Sequence, residues 1–126
     1  MGVPLTSREE LADFIRSSFR SVWSLELLLL VKREPRAWTI AEIVAALRAS
    51  ELVVTKCVES LIAAGLVSPE SSQLIRFLPA SADLAKLVDE TEALYAKQPH
   101  AVRRLIIAST SGISLTDFAN AFRWKD

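Results

Sequence analysis

From Val22 to Val31 every residue is apolar except Ser24 and Glu26. A helix over about 21–34 would therefore be apolar almost all round, and such a helix has to be enclosed by its neighbours. Its longest uninterrupted apolar run, Leu27 to Val31, is far short of the ~20 residues that a membrane span needs. Lys32, Arg33 and Arg36 cluster at its C-terminal end, where cations suit the helix dipole. Pro35 ends it, because the residue before proline avoids the α region.

The remaining segments supply the cover. Ser7 and Glu10 have the spacing of a capping box, and Leu11, Phe14, Ile15 and Phe19 give the helix behind them an apolar face. Ser17-Ser18 marks its end. Thr39 and Glu42 form a second box, opening a helix with Ile40, Ile43, Val44 and Leu47 on one side. Ser50 caps a helix over 51–63 carrying Val54, Cys57, Val58, Leu61 and Ile62. Gly65 is the left-handed residue past its last turn, with Leu66 folding back as the apolar contact.

Two short strands, Leu66–Ser68 and Gln73–Leu78, flank a turn at Pro69-Glu70-Ser71-Ser72. Ser81 caps a helix to about Lys97, on which Asp89, Glu90 and Glu92 read as a solvated acidic face. Pro99 opens another helix to about Ala108. Ser109 to Gly112 is a loop, and Ser114 or Thr116 caps a last helix with Phe118, Ala119, Ala121 and Phe122. This order predicts a mostly α fold with a small antiparallel β-hairpin, that is, a winged helix-turn-helix elaborated by N- and C-terminal helices. The whole, 1–126, reads as a single domain, with a winged-helix core over about 22–78 and a C-terminal helical extension over 82–126.

Composition narrows the chemistry. One Cys and one His leave no disulfide framework and no metal-ligand set. Cys57 shares the apolar stripe of its helix and reads as a buried thiol, and Trp23, Trp38 and Trp124 read as core or partly buried aromatics. Neither a catalytic constellation nor a cofactor motif is evident, so an enzyme is not expected. Met1-Gly2-Val3-Pro4-Leu5-Thr6 fits the loose myristoylation pattern, which a start codon followed by a small residue matches equally. The N-terminus lacks a positive region followed by an apolar one, and a cytoplasmic protein without membrane association is expected. Fifteen basic residues balance fifteen acidic ones.

Trp38-Thr39-Ile40-Ala41-Glu42-Ile43 through Leu47, then Val54-Thr55-Lys56-Cys57-Val58 through Ala63-Ala64-Gly65-Leu66-Val67, resemble the winged-helix core of MarR-like and ArsR-like bacterial regulators. The Leu-x-x-x-Gly-Leu-Val ending is the most specific part. The resemblance implies a transcriptional regulator that lays the 51–63 helix in the major groove of double-stranded DNA, with the 66–78 wing beside it. It would contact DNA through Arg48, Thr55, Lys56 and Arg76. Regulators of this kind reach two half-sites as homodimers, here through the 82–97 helix or the C-terminal helices.

The charges point the other way. Between Thr39 and Leu78 stand three basic residues (Arg48, Lys56, Arg76) and four acidic ones (Glu42, Glu51, Glu59, Glu70). Phosphate neutralisation supplies most non-specific DNA affinity, so this balance predicts weak binding. The alternative reading is a protein-interaction module that binds a regulatory partner through Leu52 and Val53, the apolar start of the same helix.

Overall fold

A computed structural model describes residues 8–71 and 73–107. The Ser7 cap and everything read beyond Ile107, including the last helix and Trp124, lie outside the described residues. The described chain is mostly helical with a small three-stranded antiparallel sheet. Its elements are α1 (Arg8–Ser18), α2 (Val22–Arg33), β1 (Trp38–Thr39), α3 (Ile40–Leu47), α4 (Glu51–Ala63), β2 (Val67–Ser71), β3 (Leu74–Phe77) and α5 (Ala82–Lys97), followed by a helix over 99–107, here α6.

The apolar helix is enclosed as its composition demands. Leu25, Leu27, Leu28, Leu29 and Val31 of α2 are all at most 1% exposed. They share one core with Phe14, Ile15 and Phe19, with Ile43 of α3, and with Val54, Val58 and Leu61 of α4. Ile75 of β3, Val88 of α5, and Val102 and Ile106 of α6 complete it. Phe14 and Phe19 meet edge to face at 5.9 Å. Among the described residues no helix is long and apolar enough to cross a membrane.

Helix ends follow the sequence closely. The Thr39 hydroxyl accepts from the Glu42 amide at 3.0 Å while Glu42 accepts from the Thr39 amide at 2.9 Å. Ser50 and Ser81 cap α4 and α5 through the Val53 and Leu84 amides, each at 3.1 Å. At the end of α4, Gly65 takes φ +78°, its amide donates to Ile62, and the Leu66 amide donates to Leu61. These two hydrogen bonds return the chain, and Leu66 is completely buried. A box at Ser21–Ser24 opens α2; it was not anticipated, because N-cap and partner are both serine.

The sheet corrects the expected two-stranded hairpin. β1 pairs with β3, Trp38 opposite Ile75, so the strand order is β1-β3-β2. A two-residue strand carries no alternation by which to recognise it. β2 also runs further than expected: Pro69, Glu70 and Ser71 belong to it, not to a turn. Proline is tolerated there because β2 is an edge strand, and the register shifts between Pro69 and Ser71.

Candidate functional site

The connection between α3 and α4 is two residues long, Ala49 and Ser50, once Arg48 has closed α3. Arg48 does so in the left-handed conformation, φ 56° and ψ 38°, with its amide donating to Val44 at 2.8 Å. An L-residue adopts that region at a cost of about 1–2 kcal/mol. The reward is the packing of α3 against α4, which buries Ile43, Val54 and Val58. The same turn leaves the Arg48 side chain exposed.

The first turns of α4 divide by side. Leu52 is 65% exposed, whereas Val53 is half-buried against the core. The structure therefore separates the two apolar candidates: Leu52 is surface, and Val53 helps to fasten α4. Lys56 is exposed, one turn beyond Leu52. Thr55 is half-buried and faces the sheet. With Glu51 and Glu59 it lines a cleft of about 220 Å³ between α4 and the β2–β3 hairpin. Pro69, Ser71 and Gln73 form the opposite wall, and Ile40, Val58, Ile62 and Ile75 supply apolar lining.

Most nearby positive charge is engaged within the chain. Arg76, the only cation of the hairpin, pairs with Glu70 and donates to the Pro35 carbonyl at 3.3 Å. Arg36 stacks 3.8 Å over the Trp38 ring and pairs with Glu42 at 3.1 Å and Glu34 at 3.6 Å. The Thr39 amide, and then Arg36, hold the Glu42 carboxyl below its usual range. Lys32 meets Asp89 at 3.0 Å and Glu92 at 2.7 Å, and Arg33 meets Glu92 at 3.3 Å. The Lys32 hydrogen bond lowers the pKa of Glu92, and Glu92 in turn raises that of Lys32.

Asp89 and Glu92, read from the sequence as a solvated face, thus clamp α5 to the end of α2. That pairing spans about sixty positions and has no local signature. Of the four cations and hydroxyls expected at the site, Arg48 and Lys56 are exposed and pair with no described residue. Thr55 is turned into the cleft, and Arg76 is held by Glu70. The residues missed were Glu51 and Glu59. Their spacing with Thr55, i, i+4 and i+8, already places all three on one helical stripe.

Other surfaces are less telling. Trp23 is 43% exposed, against the expectation of a core or partly buried aromatic, and with Val22, Glu26, Ala46 and Leu47 borders an open concavity of about 470 Å³. Glu26 accepts from the Tyr95 hydroxyl, which Arg103 also approaches at 3.3 Å. An apolar groove of about 500 Å³ lies between α1, α5 and α6, with Arg8 and Arg104 in its lining. Cys57 is buried beside the Ser21 hydroxyl at 3.8 Å, and burial pushes its thiol pKa up, which suits an unreactive packing residue. Among the described residues no group of three or more His, Cys, Asp or Glu could hold a metal ion. Comparison with protein-family models, with curated proteins and with solved structures finds no match.

Proposed function

We propose that this is a winged helix-turn-helix regulatory protein that works by docking a protein partner on the exposed side of α4. The winged-helix reading is supported by the order α2, β1, α3, α4, β2, β3, with β1 joined to β3 and α3 turning into α4 through Arg48. The observation that carries the protein-docking reading is Leu52. A leucine 65% exposed on the helix that would otherwise meet DNA has no use for phosphates, and interface cores favour apolar contacts. Around it stand Glu51, Lys56 and Glu59, a net negative set, while Arg76 is held by Glu70.

A photo-cross-linking residue in place of Leu52 tests this in cells. The reading expects a discrete protein adduct that Lys56→Ala does not abolish. Adducts to nucleic acid, or none to protein, would refute it. A second reading, DNA binding through Arg48 and Lys56, is favoured by one observation: both are exposed and pair with no described residue. Salt-sensitive binding of duplex DNA would support it over the first.

A further inference from the structure

We propose that the cleft between α4 and the β2–β3 hairpin receives a cationic segment of the partner protein, with Glu51 and Glu59 as its two anchoring carboxylates. The proposal rests on the reading of α4 as a protein-docking helix and names the chemistry of what docks there. The cleft, about 220 Å³, is smaller than the roughly 300–1,000 Å³ of small-molecule sites, so it suits side chains presented by a larger body. Its lining contains two carboxylates and no cation. Both glutamates are exposed and pair with no described residue; the hairpin's one cation, Arg76, is bound to Glu70 and to Pro35, and Lys56 of α4 is not among the residues that line the cleft.

The cleft also has apolar lining, from Ile40, Val58, Ile62 and Ile75, and Thr55 stands midway between the two carboxylates along α4. Lysine and arginine match this: an aliphatic stem lies on apolar surface while the charged head reaches a carboxylate. Arginine matches it best, because its planar fork can hold a carboxylate with two hydrogen bonds. Glu51 and Glu59 are eight residues apart on one helix, which spaces them about 12 Å along the axis. The occupant therefore carries two cations at about that separation, roughly two turns of its own helix, with a small apolar residue between them. A nucleic-acid phosphate brought into the cleft would meet two like charges and no cation in its lining.

The test uses the full chain and an amphipathic peptide of about 15 residues with arginines seven positions apart, beside the same peptide with both arginines replaced by citrulline. Isotope-labelled protein is titrated and the amide shifts are followed. The expected result is saturable shifts at Glu51, Thr55, Glu59 and Gln73, with affinity about tenfold weaker for the citrulline peptide and for Glu51→Gln/Glu59→Gln. Equal binding of the two peptides, shifts confined to other surfaces, or no effect of the double substitution would overturn the proposal. The position-52 cross-link separates the two failures. A protein adduct that persists in Glu51→Gln/Glu59→Gln keeps the docking reading and removes the cationic occupant. Loss of the adduct in the wild-type background removes the docking reading itself.

Discussion

Arg76, which lies opposite Ser68, pairs diagonally with Glu70 across the β2–β3 hairpin, and its guanidinium reaches on to the Pro35 carbonyl at 3.3 Å. The ion pair neutralises the hairpin's only cation, and the hydrogen bond to Pro35 ties the hairpin to the segment just after α2. Arg36 is treated alike by Trp38, Glu34 and Glu42, and Lys32 and Arg33 by α5. Around α3, α4 and the hairpin, overall neutrality is thus not two separated patches of opposite sign. It is largely local pairing, which leaves Arg48 and Lys56 facing outward.

The α2–α5 clamp contributes to the acid limb of stability, as does Glu42. Glu92 has its pKa depressed in the folded state, so its contribution is complete above the carboxylate's unfolded pKa and is lost as pH falls through the lower folded value. Lys32 has its pKa raised, so its contribution is complete below the unfolded lysine value and is lost as pH rises through the folded one. Glu92→Gln should lower stability by about 1 kcal/mol at neutral pH and flatten the decline in acid. Denaturant melts at a series of pH values read both effects, and an unchanged acid limb would remove the clamp from the account.

Gly65 and Arg48 hold left-handed backbone for opposite reasons. At Gly65 an added Cβ would sit 3.3 Å from the Ala80 Cβ, on top of the unfavourable φ of +78°. Gly65→Ala should therefore destabilise by about 1–2 kcal/mol, visible as a drop in Tm.

Arg48→Gly should do the reverse. It relieves the strain at φ 56° and offsets it only in part with added chain entropy, for a gain of up to about 1 kcal/mol. A Tm that falls would mean that the arginine side chain stabilises the turn by contacts of its own.

Leu52 and Val53 separate surface from core within one turn. Leu52→Asp should change stability by no more than about 0.5 kcal/mol, while Val53→Asp should lower it by about 1–3 kcal/mol. Thermal melts of the two variants decide this, and equal losses would return Leu52 to the core.

Sequence patterns revealed the parts of the fold whose causes are local. The Thr39–Glu42 box, the Ser50 and Ser81 caps, Gly65 and the apolar stripes of α2 and α4 all act within a few residues. What escaped was made by distant partners. β1 exists because Trp38 lies opposite Ile75, and Pro69 extends β2 because that strand is an edge. Asp89 and Glu92 become a clamp only when α5 crosses the end of α2. At the site, the resemblance to DNA-binding regulators supplied Arg48, Thr55, Lys56 and Arg76. The orientation of Thr55 toward the cleft depends on the hairpin folding over α4, which no spacing in α4 encodes, and the capture of Arg76 by Glu70 depends on the pairing of β2 with β3.

The central proposal is that the exposed face of α4 is electrostatically unsuited to DNA. Its most direct test is fluorescence anisotropy of the full chain against a random duplex from low to physiological salt. The account predicts no saturable binding at physiological salt below about 100 μM, the weak end of non-specific affinity, and little dependence on Lys56. Micromolar, salt-sensitive binding that Lys56→Glu abolishes would contradict it.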